Sequence, residues 1–259
     1  MRSRTPILMY HELAIEGRNL CRSDEGYRRY CVTEDAFGSQ LGWLQLHGYE
    51  GWNLSQALGH DGDASAGVAI TFDDGCETDA VYAAPRLHEL GFSATFFVVT
   101  TWVGRPGYIS QRQLRELSEH GFEVGAHSRS HPFLTDLDPV ALRSEIVDSK
   151  KELEQMLGHR VDHFSCPGGR WNHAVGTVAK DAGFRSVSTS RPGTVTRPTD
   201  SFCLPRTAIV DGMSMHDFAR VCRGDREWLR VARSGLLSGA KRWMGNALYE
   251  KFRGAVLNR

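Results

Sequence analysis

Short apolar runs alternate with amphipathic stretches along most of this chain. Apolar runs of strand length predict β-strands at 6–10, 68–72, 94–99, 123–126, 164–166, 186–189 and 208–210. Apolar residues at helical spacing predict helices at 34–46, 80–90, 110–120, 139–157 and 173–182, most of them followed by a glycine. Strands that alternate with helices favour a parallel sheet, so we predict an α/β fold of roughly seven β/α units.

Two stretches do not follow this alternation of strand and helix patterns. Residues 14–31 are polar, without a clear period, and predict a long loop near the functional cleft. Residues 227–257 carry apolar residues at helical spacing with Arg and Lys between them. We therefore predict a first domain at 1–218 and a basic amphipathic helical tail at 219–259, which either packs on the body or touches an anionic membrane.

The composition is that of a soluble globular protein. The chain has 259 residues, of which 41% are hydrophobic and 24% charged, enough for one large α/β domain. No stretch approaches the roughly 20 apolar residues of a spanning helix, and the apolar stretch at 7–9 is too short for a signal-peptide core. We therefore expect a cytoplasmic protein, in peripheral contact with the inner membrane face.

The net charge is zero but unevenly distributed. Residues 219–259 contain ten Lys/Arg and three Asp/Glu, so the remainder of the chain is acidic. A basic tail on an acidic body indicates an anionic partner for the tail, such as a membrane surface, a phosphate or another subunit. We expect no nucleic-acid partner, and the sequence leaves the oligomeric state open.

The six cysteines are scattered and form no C-x-x-C pair. In a cytosolic protein they are expected to be free thiols. Cys21 and Cys31 flank the polar loop and are the one pair for which a bridge is worth testing. Cys76 and Cys166 lie within motif regions, where small buried residues are the ordinary interpretation and proximity to the site the alternative.

Two short motifs carry the candidate chemistry. Asp73 and Asp74 end an apolar run and precede a glycine, and His127 and His131 follow another apolar segment four residues apart. Taken singly, the acidic pair also fits a turn or a magnesium site, and the histidines also fit ordinary surface or core positions. Together they offer two imidazoles and one carboxylate for a metal, with a second carboxylate left as a base.

The geometry expected from these motifs is a strand end and a turn. Alternation along a strand sends the two aspartates in different directions. The four-residue spacing of the histidines would let one helical turn place both on one side, with Pro132 at a turn or helix start. A non-heme iron oxygenase triad is disfavoured because residue 129, where such triads place their carboxylate, is Arg129.

The chain resembles the polysaccharide deacetylases (carbohydrate esterase family 4, the NodB homology domain). The resemblance covers roughly residues 6–218, and its most specific parts are Thr71-Phe72-Asp73-Asp74-Gly75 and His127-Ser128-x-x-His131-Pro132. Further similar stretches are Met9-Tyr10-His11, Gly91-Phe92-x-Ala94-Thr95-Phe96-Phe97 and Leu204-Pro205-Arg206. The resemblance implies a distorted (β/α)7 barrel and the hydrolysis of N-acetyl groups on sugars.

The same resemblance implies roles for particular residues. Asp74, His127 and His131 would bind one divalent metal ion, and Asp73 would be the base that takes a proton from a water at the metal. Zinc is our first expectation for the ion, with nickel, cobalt and iron(II) as alternatives for such a ligand set. The branch resembling poly-N-acetylglucosamine deacetylases carries Tyr-His at its first strand, which makes His11 the expected acid.

Two departures from the family pattern matter. The third motif, usually Arg-x-Pro-Tyr, is replaced by a stretch that ends Cys166-Pro167-Gly168-Gly169-Arg170-Trp171. Arg206 could then orient Asp73 from another strand, while Gly168, Gly169, Arg170 and Trp171 are candidate substrate contacts. The late Leu-x-His motif is also missing, since the only late histidine, His216, lies at a predicted helix start.

The leading hypothesis is a metal-dependent deacetylase of an N-acetylated glycan or lipid-linked sugar precursor. The altered third motif motivates a second hypothesis, a non-catalytic carbohydrate-binding or scaffolding protein of polysaccharide biosynthesis. The third is a related O-acetyl esterase or cyclic amide hydrolase. The presence of Asp73 favours an enzyme, because a binding protein needs only the ligand set.

Overall fold

The computed structural model describes residues 4–60, 66–196 and 199–225, and the fold is an α/β barrel. Its strands are β1 (Thr5–Tyr10), β2 (Leu13–Ala14), β3 (Val32–Thr33), β4 (Tyr49–Trp52), β5 (Ala66–Phe72), β6 (Thr95–Val98), β7 (Glu123–Ala126), β8 (His163–Ser165), β9 (Ser186–Ser188), β10 (Thr194–Val195) and β11 (Thr207–Ala208). The strands predicted at the first two motifs are confirmed.

The described residues also form eight α-helices. They are α1 (Glu25–Arg28), α2 (Glu34–Leu46), α3 (Leu54–Gly59), α4 (Ala84–Glu89), α5 (Gln111–Glu119), α6 (Pro139–Leu157), α7 (His173–Asp181) and α8 (Met215–Cys222). Capping residues explain several helix limits. The side chains of Thr33, Ser110 and Asp138 accept hydrogen bonds from backbone N–H groups in the first turns of α2, α5 and α6. Gly158 ends α6 in the left-handed region at φ 81°.

The main sheet curls into the distorted barrel predicted from the family resemblance. Its parallel strands follow the order β1, β5, β6, β7, β8, β9. Leu204 bridges to Ser188 of β9, and β11 pairs in parallel with β1, so the 204–208 segment closes the circuit. All parallel strands therefore end at one rim, where the motif residues lie.

Alternation along the strands separates two environments. Phe72 on β5 and Phe96 on β6 stack at 5.0 Å, and Phe72 meets Phe37 of α2 edge-on at 5.9 Å, so this face packs against the helices. Ala69 and Phe97, on the opposite face, belong to a separate buried cluster inside the barrel. Because successive side chains alternate, Thr71 and Asp73 also point inward, above that apolar floor.

Some local predictions need correction. The segment 14–31 is not a featureless loop, since Asp24 caps the one-turn helix α1, which buries Tyr27. The helix predicted at 80–90 begins as a π-helical turn at Asp79–Ala83 before α4. Strand β4 and helix α3 were not predicted, because each is too short to show a period.

The predicted tail falls mostly outside the described residues. Residues 226–259, which include the predicted helix at 227–257, are not described. Residues 219–222 belong to α8, which begins inside the predicted first domain and buries Phe218, Val221 and Cys222. Within the described ranges, none of the helices combines the length and apolarity required to cross a membrane.

Candidate metal centre and active site

Backbone geometry marks the motif segments at the rim of the barrel. In the described part of the chain, the non-glycine residues with positive φ are Asp74 at 81°, Ser128 at 63° and His131 at 64°. Such conformations cost about 1–3 kcal/mol each and persist where the surroundings impose them. All three lie in the two motifs, so the fold holds these segments in conformations that the chain does not prefer by itself.

Asp74, His127 and His131 bring three potential metal ligands together. Their ligand atoms all lie within 4.8 Å of one another. Nε2 of His127 is 3.5 Å from Oδ1 of Asp74, and Nε2 of His131 is 3.3 Å from the same oxygen. The four-residue spacing does not act through a helical turn as predicted, because the histidines lie on a loop that follows β7.

Neighbouring groups orient both imidazoles. Nδ1 of His127 lies 2.9 Å from the carbonyl oxygen of Ser165, so the Nδ1–H tautomer leaves Nε2 free as a ligand. The backbone N–H of His131 donates to Oγ of Ser128 at 2.9 Å, and its ring stacks on Trp102 at 5.1 Å. Burial lowers the pKa of His127 to about 4, against the opposing effect of Asp73, which favours the neutral ligand form.

The residues present fit a divalent cation. Oδ1 of Asp74 is buried and lacks a hydrogen-bond partner of acceptable geometry, although both imidazoles approach it. A buried carboxylate oxygen facing two neutral ring nitrogens is costly unless a cation lies between them. Two nitrogens and one oxygen form the three-ligand set typical of catalytic zinc sites.

Asp73 is held apart from this set by Arg206. The guanidinium donates to both carboxylate oxygens at 2.7 Å, and Oγ of Ser165 donates to Oδ2 at 3.2 Å. Arg206 also donates to Thr71 and to the carbonyl of Thr189, and its side chain is fully buried. Burial alone would raise the pKa of Asp73, but Arg206 and His127 hold it below its usual range.

His11 lies beside the cluster at the end of β1. It is half-buried, its ring is 4.8 Å from that of Tyr30, and its Nδ1 has no hydrogen-bond partner in the described structure. Burial lowers the pKa of His11, while the charges of Asp74 and Asp73 raise it. Its neighbour Tyr10 points to the other face of the strand, where its hydroxyl donates to Gln40 in the core.

The other candidate substrate contacts lie on a neighbouring loop. Gly168 and Gly169 form a tight turn with φ of 60° and 65°. Arg170 covers the ring of Phe133 at 3.8 Å and pairs with Asp136 at 3.3 Å. Trp171 is half-buried next to the helix that follows. The structure gives these four residues no contact with the metal ligands, so their contact with substrate stays a prediction.

Sequence reasoning missed Ser165, which lies between the metal ligands and the proposed base. Ser165 connects both halves, because its carbonyl orients His127 and its hydroxyl contacts Asp73 and Arg206. Alternation along β8, with Phe164 in the outer core, was the signal that could have placed it inward.

The bridge considered between Cys21 and Cys31 is absent, and all six cysteines are free.

Comparison with known proteins identifies relatives of this chain. A family model described as polysaccharide deacetylase matches residues 61–187. The chain is 31% identical over 216 residues to YxkH of Bacillus subtilis (strain 168), named as a polysaccharide deacetylase, covering 82% of this chain and 74% of that protein. It is 25% identical to the poly-beta-1,6-N-acetyl-D-glucosamine N-deacetylase of Staphylococcus aureus (strain MSSA476), over 75% of this chain and 73% of the relative.

A solved structure supports the same fold. The Streptococcus pyogenes deacetylase PplD in complex with acetate superimposes with a TM-score of 0.75 at 24% identity, covering 86% of this chain and 99% of that one. This likeness concerns the backbone arrangement. It confirms the predicted barrel, while the identity with YxkH confirms the family resemblance.

Proposed function

The chain belongs to the polysaccharide deacetylase family, and from that premise we propose that it is a metal-dependent hydrolase that removes N-acetyl groups from a glycan or glycan precursor. The observation that carries the proposal is the pairing of a three-ligand set with a separate carboxylate, Asp73, held by a buried arginine. A site built only to bind sugar has no need of that second carboxylate.

Asp74, His127 and His131 would hold the ion. When bound, a divalent metal at this position polarises an acetyl carbonyl and makes a water easier to deprotonate. Zinc remains our first proposal, with nickel, cobalt and iron(II) as alternatives, because imidazole and carboxylate ligands suit all four.

Asp73 is the proposed base. The two bonds from Arg206 favour the ionised carboxylate and fix its direction, with Oδ2 at 3.9 Å from Nε2 of His127. Its low pKa means that a proton accepted from water is held weakly. The proton is therefore readily passed on toward the leaving amine.

His11 is the proposed acid. Burial of its ring lowers the pKa of His11, which favours the neutral imidazole. The charges of Asp73 and Asp74 favour the protonated form, so the proton released at Asp73 can be taken up by the imidazole and delivered to the amine. Gly168, Gly169, Arg170 and Trp171 are proposed to contact the sugar from the neighbouring rim.

The decisive experiment measures acetate release from N-acetylglucosamine oligomers by protein that has been stripped of metal and reloaded with each of the four ions. Activity should require an ion and should fall by at least about 100-fold in Asp73→Asn, as expected for loss of a general base. Asp35→Asn, an exposed carboxylate on α2, is the matched control and should retain full activity. Sugar binding without turnover would instead support the scaffolding hypothesis.

A substrate panel separates the remaining alternatives. O-acetylated sugars and cyclic amides are compared with N-acetylated oligomers at equal concentration. A preference for N-acetyl groups in kcat/KM is expected, and a preference for either other class would replace the proposed substrate.

We further propose that the protein works in the cytoplasm, where the basic 219–259 segment meets the anionic inner membrane face and its lipid-linked sugars. Full-length protein should sediment with anionic vesicles and not with neutral ones. The Arg230→Glu/Arg233→Glu variant should lose that binding.

A further inference from the structure

A second group of potential metal ligands lies close in sequence to the candidate active site. Sγ of Cys21, Sγ of Cys76 and a carboxylate oxygen of Glu12 all lie within 4.8 Å of one another. Cys76 is fully buried, Glu12 is 3% exposed and Cys21 is partly exposed. The group shares no residue with Asp74, His127 and His131.

Three separate parts of the chain build this group. Glu12 follows β1, Cys21 lies in the polar segment before α1, and Cys76 follows the Asp73-Asp74-Gly75 motif. The backbone N–H of Cys21 donates to both oxygens of Glu12, at 3.1 and 2.9 Å. The hydroxyl of Tyr27 donates to Glu12 at 2.8 Å and lies 3.3 Å from Sγ of Cys76.

The charges around the group are unbalanced. Among the described residues, no basic side chain forms an ion pair with the buried carboxylate of Glu12. Asp79, three residues after Cys76, is also fully buried, and neither of its carboxylate oxygens has a hydrogen-bond partner. Burial raises the pKa of Asp79, which favours its protonated form. A buried carboxylate that stays ionised is costly, and proteins compensate it with a paired charge or a metal.

The donor set suits zinc better than a hard cation. Thiolates select zinc among the common divalent ions, and a carboxylate is an accepted third ligand. Two sulfurs bound tetrahedrally at about 2.3 Å would lie roughly 3.8 Å apart, which is compatible with the 4.8 Å within which the three ligand atoms lie. A water would supply the fourth ligand, while the Tyr27 hydroxyl, which donates to Glu12, would orient the carboxylate.

We propose that Glu12, Cys21 and Cys76 form a second, thiolate-containing site for a divalent ion of the zinc class. The ion would tie the segment that carries Cys21 to the backbone directly after Asp74. Its role is structural: it fixes the segment that follows His11. The proposal does not depend on the reaction assigned to the first site.

Metal counting and cobalt spectroscopy test this proposal on the full chain, kept reduced, stripped by a chelator and reloaded with zinc or cobalt(II). We expect two zinc ions per chain in the unmodified protein, one in Cys21→Ser and one in Asp74→Asn. Cys203→Ser, a partly exposed cysteine elsewhere in the fold, is the matched control and should retain two. Circular dichroism confirms that each variant is folded.

The cobalt protein identifies which site is filled. A thiolate-to-cobalt charge-transfer band in the near ultraviolet should appear in the unmodified and Asp74→Asn proteins and vanish in Cys21→Ser. Absence of this band in the unmodified protein, or its persistence in Cys21→Ser, overturns the proposal. A single ion without the band would leave the first site intact and refute only the second, whereas a single ion with the band would do the reverse.

Discussion

Replacing Arg206 with methionine isolates the interaction that holds the proposed base. The change removes two 2.7 Å bonds to Asp73 and leaves a carboxylate that is only 3% exposed without its counter-charge. Two hydrogen bonds to a charged group contribute about 1.5–3 kcal/mol each. Breaking a buried ion pair from one side costs about 3–5 kcal/mol, so the two estimates agree.

A double-mutant cycle with Asp73→Asn measures the coupling. Each single change should lower the free energy of unfolding by about 3–5 kcal/mol, because each leaves one buried charge alone. The double variant removes both charges, so its loss should be smaller than the sum by about 2–3 kcal/mol. Urea unfolding followed by circular dichroism, in the presence of chelator, gives the four values.

The control is Arg170→Met, because Arg170 is partly exposed and its partner Asp136 is exposed. Its loss should cost less than about 1 kcal/mol. Additive losses for Arg206 and Asp73 would refute the reasoning, since they would mean that the two side chains do not stabilise each other. In Arg206→Lys, weaker pairing should let burial raise the pKa of Asp73, so the acid limb of the activity profile moves to higher pH.

Three further predictions concern single residues around the site. In metal-free protein, burial lowers the pKa of His127 to about 4, so the unfolded chain, with a pKa near 6.5, binds more protons between these values. The free energy of unfolding should therefore fall by about 3 kcal/mol as pH decreases from about 6.5 to 4. Urea unfolding at a series of pH values measures this dependence, and the His127→Asn variant should lack it. Gly169→Ala would place a Cβ 2.6 Å from the backbone nitrogen of Ser190 at a φ of 65°. Thermal unfolding of this variant should show a free energy of unfolding that is lower by at least about 1–3 kcal/mol. In the control Gly168→Ala the new Cβ meets only the exposed Phe133 side chain, so its stability should fall less, and equal decreases would contradict the backbone clash. His11→Gln should lower kcat by about 100-fold or more while the metal count is unchanged; unchanged kcat would remove His11 from the proposed mechanism.

Local pattern predicted the frame of the molecule well. Helix α6 matches its predicted limits because Asp138 caps one end and Gly158 the other. The first two motifs lie at strand ends because β5 and β7 are short buried runs bounded by polar residues. Parallel strands then bring their ends together, so the proximity of Asp74 to the histidines follows from the strand pattern alone.

The helical turn predicted for the histidine segment was wrong because tertiary contacts determine the backbone conformation there. Spacing of four predicted a helical turn, yet Ser128 and His131 have positive φ. The bond from Nδ1 of His127 to the Ser165 carbonyl and the bond from His131 to Ser128 fix the rings instead. A contact with a strand 38 residues away leaves no trace in the local period.

The contacts of the cysteines could not be predicted from the local sequence either. Chain proximity suggested Cys21 and Cys31 as partners, but α1 separates them, and the thiol of Cys31 bonds to the carbonyl of Tyr27. Cys21 instead meets Cys76, because the N–H of Cys21 and the hydroxyl of Tyr27 both bind the carboxylate of Glu12. The buried carboxylate of Glu12 thus holds in place the segment 14–31, which the sequence predicted to be a loop. Because no basic side chain of the described residues pairs with this carboxylate, a bound cation would account for its burial.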